Sequence, residues 1–382
     1  MAGRVCACDG RTSEQDRLNR FRSNGVAYPR RMSYDALMLK AMLVLTVLVS
    51  AVHAQSPWEM QDSHTKAGLR GIHAVDANVA WASGTEGTIL RTVDGGTNWT
   101  KCPVPSDGEK LDFRGVWAWS ADEAMVMSAG PGELSRMYKT TDGCTHWTEI
   151  ARNKDKNGFW DAMVFQQRDY HMLGDTKTGV LVGDPIGKRF DTRMMIGGTN
   201  WQADYSSCAA NEGEAAFAAS NSSVVVFGSR RYIIGTGGKG GPRILRSPLM
   251  DNRDATKGCT AVPIPLASGS EAAGVFSLAF RDGKRGVAVG GDYKKPEVSD
   301  GTAAWTIDGG KHWTAAKKPP HGYRSSVAFD SATNSWIAAG TNGSDLSTDG
   351  GDTWQKLDNG NWNALSLPWI VGPEGRIGKW KK

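Results

Sequence analysis

The stretch TVDGGTNW, residues 92–99, has the composition of a tight turn that follows a strand. An aspartate and two glycines come after a strand-like run, and a tryptophan closes the octet. An eroded copy, MIGGTNW at 195–201, has Ile196 where the aspartate is expected. A turn that recurs along a chain indicates a repeat architecture. The other intact copies are TTDGCTHW (140–147), TIDGGKHW (306–313) and STDGGDTW (347–354).

Each repeat unit contains four short strand candidates. In the first unit, RGIHAV, NVAWASG and GTILRTV alternate apolar and polar residues, and NWTKCPV follows the turn. Five further units begin with FRGVWAW, FWDAMVF, EAAFAAS, GVFSLAF and YRSSVAF, the fourth of them, EAAFAAS, at Glu214. The seventh, WNALSL, PWIVGPEG and RIGKW, stops after three strands.

The segment around Trp58 supplies the strand that the last unit lacks. SPWEMQDS reads as an outer strand, with Trp58 in the position that Trp99 holds in the first unit. A strand from the N-terminus that completes the C-terminal unit closes a ring and removes exposed sheet edges. We therefore predict an all-β, seven-bladed β-propeller that occupies residues 55–382 as a single domain. An open β-solenoid is the alternative, and the split terminal unit argues against it.

The first 54 residues have the features of a leader with a secretory signal. The apolar run MLVLTVLVSAV, residues 42–52, follows Arg30, Arg31 and Lys40 and precedes a small residue, Ala54. The run is too short to span a bilayer comfortably, so we expect no transmembrane span after cleavage. The sequence thus predicts export to the periplasm or the extracellular space.

The net charge excludes one class of partner. The whole chain carries 45 Lys and Arg against 40 Asp and Glu. The leader holds eight basic and four acidic residues, which leaves 37 against 36 in the rest of the chain. A chain so close to neutral does not have the basic surface that nucleic-acid binding requires.

Four cysteines remain outside the leader, and an even number in an exported chain favours disulfides. Four cysteines allow three pairings. Because the members of each pair lie in consecutive repeats, we favour Cys102 with Cys144 and Cys208 with Cys259. No pair shows the CxxC spacing of a zinc site, and the histidines form no HxH or HExxH motif, so we expect no metal.

The recurring aspartates have a structural interpretation. Each can accept backbone N–H bonds across its turn while the glycines adopt positive φ and the tryptophan packs against the sheets. Catalysis or calcium binding is the alternative, but active sites do not recur from blade to blade. The residues concerned are Asp94 and Trp99, Asp142 and Trp147, Asp308 and Trp313, and Asp349 and Trp354.

These octets match the Asp-box consensus S/T-x-D-x-G-x-x-W, the bacterial neuraminidase repeat. Together with the phrases FWDAMVF, GDPIGKRF, GTGGKGGPRILRS and GVAVGGDY, they make residues 58–380 resemble the photosystem II stability and assembly factor-like propellers, in particular their exported bacterial relatives. The resemblance implies a seven-bladed propeller that acts as a non-catalytic assembly or docking factor. The chain departs from the pattern at Ile196, at Cys144 in place of a box glycine, and at RSPLMDNRDATKGC, where the fourth box has decayed.

Sialidases share the Asp-box and provide the enzyme alternative, a glycoside hydrolase. They carry an Arg-Ile-Pro motif before the first box, where this chain has only LRGI at 69–72. The sialidase signature is therefore missing from the sequence.

Alignment of the innermost strands predicts a polar ring at one end of the central channel. Such a ring has three possible roles: it binds a carboxylate, a sugar or a peptide terminus, it neutralises itself as salt bridges, or it uses Asp161 and Glu214 as hydrolase carboxylates. Its predicted members are Arg70, Arg114, Asp161, Glu214, Phe276 or Ser277, Arg324 or Ser325, and Asn363.

No cofactor is expected. The GxGxxG match at 235–240 is followed by Pro242 and a strand-like run, whereas a dinucleotide site needs a helix there. We therefore expect a monomeric propeller whose channel face binds an envelope or secreted protein, or an anionic or sugar ligand.

Overall fold

The computed structural model describes residues 56–166, 177–196, 200–204, 208–227, 231–248 and 258–381. The predicted leader and signal sequence, residues 1–54, lie outside the described residues, as does most of the decayed fourth box. Within the described ranges the regular structure is β-strand, apart from one 3-10 turn at Gly132–Leu134.

Seven antiparallel sheets follow one another along the chain and form the predicted seven-bladed β-propeller. The first strand, β1 (Trp58–Gln61), belongs to the last blade. The strands of the first three blades follow in chain order. Blade 1 contains β2 (Leu69–Ala74), β3 (Ala80–Gly84), β4 (Ile89–Thr92) and β5 (Thr100–Lys101); blade 2 contains β6 (Phe113–Ala118), β7 (Ala124–Ser128), β8 (Arg136–Thr140) and β9 (Thr148–Arg152); blade 3 contains β10 (Trp160–Phe165), β11 (Gly179–Ile186), β12 (Arg189–Ile196) and β13 (Asn200–Ala203).

The remaining strands complete blades 4 to 7, together with a short ribbon of β14 (Glu214–Ala215) and β17 (Gly237–Gly238). Blade 4 contains β15 (Val224–Phe227), β16 (Arg231–Gly235), β18 (Arg243–Arg246) and β19 (Thr260–Pro263); blade 5 contains β20 (Ala273–Phe280), β21 (Gly286–Asp292), β22 (Ala303–Thr306) and β23 (Thr314–Ala315); blade 6 contains β24 (Ser326–Asp330), β25 (Ser335–Gly340), β26 (Gly343–Ser347) and β27 (Gln355–Asp358); blade 7 contains β28 (Ala364–Ser366), β29 (Trp369–Val371), β30 (Ile377–Trp380) and β1.

The ring closes as the sequence predicted. In blade 7, β1 pairs antiparallel with β30, so that Trp58 lies opposite Trp380. The Trp58 indole also donates a 3.1 Å hydrogen bond to the Ser344 hydroxyl of blade 6. The N-terminal strand therefore covers the outer edge of the C-terminal blade and ties it to its neighbour.

The hydrophobic core lies between neighbouring blades. Leu69, Leu90 and Trp99 of blade 1 pack against Trp369 and Ile377 of blade 7. Successive side chains of a strand point to opposite faces of its sheet, and each face of a blade packs against an adjacent blade. The strands are therefore apolar on both sides. This is why the middle strands read as continuous apolar runs, such as AMVMS in β7.

The Asp-box turns have the geometry expected of a structural turn. In the first, the Thr92 hydroxyl donates to Asp94 at 2.9 Å, and the Asn98 backbone N–H donates to the same carboxylate at 2.9 Å. Gly95 and Gly96 have φ of 74° and 86°, where a side chain would be strained. The same carboxylate-to-backbone bonds occur at Asp142, Asp308 and Asp349.

Two disulfides join consecutive blades. Cys102, after β5, bonds to Cys144 in the box turn of blade 2, and Cys208 bonds to Cys259 between blades 3 and 4. Both are the pairs that the repeat spacing favoured.

The fourth repeat begins later than its sequence phrase predicted. EAAFAAS was expected to form the innermost strand from Glu214, but the innermost strand of blade 4 is β15, which starts at Val224. The β14–β17 ribbon instead extends the sheet of blade 5 through Gly237 opposite Gly274. Residues 216–223 lie outside the strands, and within them the Asn221 side chain accepts a hydrogen bond from the Met163 N–H at 2.8 Å and donates one to the Val116 carbonyl at 3.3 Å.

Candidate binding pocket in the central channel

A cavity of about 560 Å³ opens at the end of the channel where the innermost strands begin. Arg70 lies at the start of β2, beside the end of β3, whereas the Asp-box turn follows β4 beside the start of β3. The cavity and the box turns are therefore on opposite faces of the propeller. The lining combines arginines, carboxyl groups and aromatic rings, and a pocket of this size falls within the roughly 300–1,000 Å³ that hold small-molecule ligands.

Most of the predicted ring residues do meet here. Arg70, Arg114, Asp161 and Asn363 all line the cavity. At the two positions where the sequence left a choice, the lining residues are Phe276 and Ser325. Two predicted members, Glu214 and Arg324, do not line it.

Glu214 is committed to a buried ion pair. Its carboxylate accepts hydrogen bonds from the Thr236 hydroxyl at 2.5 Å, from Arg243 Nε at 3.0 Å and from the Asn211 N–H at 2.8 Å, and it also pairs with Arg243 Nη2. The prediction that Glu214 joins the ring is therefore corrected: the insertion before β15 displaces it, and no oxygen is left over for a ligand.

Arg324 is likewise a structural residue. Its side chain is 0% exposed, and its guanidinium binds Asp345 through Nε at 2.7 Å and through Nη2. It also donates to the Asn342 amide oxygen at 2.5 Å. Side chains alternate along a strand, so a shift of one residue turns Arg324 away from the channel and presents Ser325.

Two arginines form the cationic wall of the cavity. Arg114 donates to Asp112 through Nε at 2.8 Å and to the Ala218 carbonyl through Nη1 at 3.1 Å. The nearest carboxylate oxygen to Arg70 Nε is Asp112 Oδ1 at 4.0 Å, too far for a hydrogen bond, and both of these buried atoms lack a partner. Among the described residues, none hydrogen-bonds to the Arg70 guanidinium, which leaves a planar donor available to a ligand.

Two carboxyl groups face the cationic wall. Asp161 is 1% exposed, and its Oδ2 has no hydrogen-bond partner. Burial, reinforced by the charge of Asp184, raises the pKa of Asp161 well above its usual range, although Arg114 opposes the rise. Burial also raises the pKa of Asp184, whose Oδ1 accepts the Ala216 N–H at 3.0 Å. Burial therefore shifts both carboxyl groups towards the neutral form relative to exposed aspartates.

Sequence reasoning did not include Asp184 in the ring. It lies at the end of β11, the second strand of blade 3, whereas the alignment considered only innermost strands. The Gly-Asp-Pro phrase at 183–185 was the available signal, because that strand end meets the start of β10 through the Asp184 N–H and the Phe159 carbonyl, 2.9 Å apart.

Aromatic rings form another part of the cavity wall. Phe217 stacks on Phe276 with ring centroids 4.0 Å apart, and Tyr323 meets Phe276 edge-on at 4.8 Å. Tyr293 lines the same cavity and is 46% exposed. The cavity thus combines a charged side with an apolar side.

Three further observations on the described residues concern metal binding, the GxGxxG segment and membrane insertion. In the described part of the chain, no group of His, Cys, Asp and Glu side chains is arranged to hold a metal ion. The GxGxxG segment continues from β16 through β17 into the strand β18. Among the described residues, no helix has the length and apolar character to cross a membrane.

Comparisons with known proteins agree with this architecture. Residues 50–159 match the model of the family described as photosynthesis system II assembly factor YCF48. The chain resembles these assembly factors. The structure is similar to "YCF48 bound to D1 peptide", with a TM-score of 0.54, 17% identity, and coverage of 86% of this chain and 98% of that one. It is similar to YCF48 from Cyanidioschyzon merolae at a TM-score of 0.53 and 17% identity, covering 85% and 99%. At that identity the structural likeness to YCF48 concerns the fold. A search of curated proteins finds no match.

Proposed function

We propose that this protein is an exported, non-catalytic β-propeller that binds a protein partner by holding a segment of it in the channel pocket. The observation that carries the proposal is the cavity itself, in which the uncommitted guanidinium of Arg70 and the half-satisfied one of Arg114 face aromatic rings. Such a site accepts an anionic group and an apolar group together. The solved structure "YCF48 bound to D1 peptide", which is similar in fold, is a precedent for peptide binding by this architecture.

Export is part of the proposal because the disulfides support it. Cys102–Cys144 and Cys208–Cys259 require an oxidising compartment to form and persist. A fusion of residues 1–54 to a phosphatase that folds only outside the cytoplasm tests the point. Phosphatase activity that disappears when the apolar run at 42–52 is deleted supports export, and an inactive fusion contradicts it.

The binding site is tested with a photo-crosslinker placed on each face of the propeller. Benzoylphenylalanine in place of Tyr293 reports on the pocket, and the same group in place of Ile307, which is 65% exposed in a box turn, reports on the opposite face. We expect a discrete crosslinked protein from the Tyr293 site only, and we expect Arg70→Gln to abolish it. Arg285→Gln, on the box face, is the matched control. Equal crosslinking at both sites, or no effect of Arg70→Gln, contradicts the proposal.

A hydrolase is the second candidate, and one observation favours it. Asp161 and Asp184 share the cavity, and the raised pKa of Asp161 suits a general acid. This pair replaces the predicted pair of Asp161 and Glu214, because Glu214 is held by Arg243. Turnover of chromogenic glycosides that is lost in both Asp161→Asn and Asp184→Asn would establish the enzyme. We expect no turnover.

A further inference from the structure

The aromatic wall of the cavity combines a ring on a blade strand with rings from segments that flank the strands. Phe217 lies in the segment that precedes β15, and Tyr293 lies just after β21. Phe276, on β20, is buried between them, stacked on Phe217 at 4.0 Å and with its ring centroid 6.1 Å from that of Tyr293. The three rings meet at one cavity although they come from separate segments of the chain.

The wall leaves one ring open to a ligand. Tyr293 is about half-exposed, and its ring is nearly perpendicular to that of Phe276, with an interplanar angle of 85°. Edge-to-face and offset-stacked contacts are the arrangements that aromatic rings prefer. A further ring entering the cavity can therefore lie against Tyr293 and above the stacked pair.

The aromatic wall and the cationic wall of the cavity adjoin each other. Arg70 and Tyr323 line the same cavity, and burial raises the pKa of the Tyr323 hydroxyl while the charge of Arg70 partly opposes that rise. The Phe217 segment is itself held by Arg114 through the Ala218 carbonyl at 3.1 Å, and by Asp184 through the Ala216 N–H at 3.0 Å. One ligand can therefore contact both the arginines and the segment that carries Phe217.

We infer that the pocket recognises an aromatic side chain adjacent to a carboxylate, so that the partner segment carries an aromatic residue next to an acidic one. The inference rests on the proposed function and adds the chemistry of the segment. The carboxylate lies on Arg70 and Arg114, and the ring lies against Tyr293. A free aromatic acid has the same chemistry, and the experiment separates that source from a peptide.

The test uses four probes and the full chain, purified with its disulfides formed. Three are acetylated, amidated hexapeptides that differ only at the centre: Gly-Gly-Asp-Phe-Gly-Gly, the same peptide with Leu for Phe, and the same peptide with Asn for Asp. The fourth is 3-phenylpropionate. Dissociation constants are measured by calorimetry or by NMR titration.

We expect the Asp-Phe peptide to bind about two- to tenfold tighter than the Asp-Leu peptide, from the added ring contacts. We expect it to bind about tenfold tighter than the Asn-Phe peptide, from the charge-assisted bonds to arginine. Tyr293→Ala should remove the first preference and keep the second, and Arg70→Gln should do the reverse. Arg285→Gln should change neither.

Each other outcome overturns the inference. If the Phe and Leu peptides bind alike while the Asp preference remains, the aromatic specificity is wrong and peptide docking stands. If 3-phenylpropionate binds as tightly as the Asp-Phe peptide, the ligand is a small acid rather than a protein segment. If no probe binds, the inference fails, and the crosslinking at Tyr293 then decides separately whether the proposed function survives.

Discussion

Arg70 and Arg324 occupy related places in the repeat but are expected to respond in opposite ways to loss of charge. Each is the second residue of the segment that opens its repeat, LRGI in blade 1 and YRSS in blade 6. The structure leaves Arg70 at the cavity without a hydrogen bond to a described residue, whereas Arg324 is fully buried against Asp345. We predict that Arg324→Met destabilises the fold strongly and that Arg70→Met does not.

The expected loss in the free energy of unfolding depends on how deeply the carboxylate partner of each arginine is buried. Asp345 is 1% exposed, so removal of Arg324 leaves a carboxylate in the interior, where loss of one member of a buried pair costs roughly 3–5 kcal/mol. Arg70 is more than one-third exposed, and pairs of that kind contribute roughly 0.2–1 kcal/mol. The double variant Arg324→Met with Asp345→Asn should lose clearly less than the sum of the two single variants.

Urea unfolding followed by tryptophan fluorescence measures these differences as shifts of the midpoint at matched slope. Calorimetry with the Asp-Phe hexapeptide is the complementary assay, because Arg70→Met should weaken binding about tenfold while leaving the midpoint almost unchanged. The reasoning is refuted if the two single variants lose similar stability, or if Arg324→Met folds as well as the wild type.

Three further outcomes are expected. Because burial raises the pKa of Asp161 in the folded protein, the stability that its neutral form provides is lost as pH rises from the usual aspartate pKa of about 4 through the raised value. The urea midpoint of the wild type should therefore fall more over that window than the midpoint of Asp161→Asn, and parallel profiles would contradict this. Replacement of Cys102 and Cys144 by serine opens a loop with a sequence separation of 42 residues and should cost about 4 kcal/mol in the free energy of unfolding, which an unchanged midpoint would disprove. Thr92→Val leaves the buried Gly96 N–H without its acceptor and should lower the free energy of unfolding by about 1–3 kcal/mol. Urea unfolding measures this loss, and a value near zero would argue against the turn as a structural element.

The local chemistry of the repeat was readable from the sequence, and with it most of the architecture. The aspartate, the glycines and the tryptophan of each octet lie close together in the chain, so turn geometry follows from composition. Counting units gave seven blades, and the incomplete last unit gave the pairing of β1 with β30. Ring residues on innermost strands, Arg70, Arg114 and Asp161 among them, followed from the same alignment.

What only the tertiary structure decided was which of those charges remain available. Because a segment is inserted before β15, Glu214 forms an ion pair with Arg243. Because Arg324 is offset by one residue from the ring position, it forms an ion pair with Asp345. Asp184 and Tyr293 joined the cavity from the ends of second strands, through contacts between residues distant in sequence. A sequence pattern specifies a residue's place in its own blade, but burial, charge pairing and access to the channel depend on what the neighbouring blades place beside it.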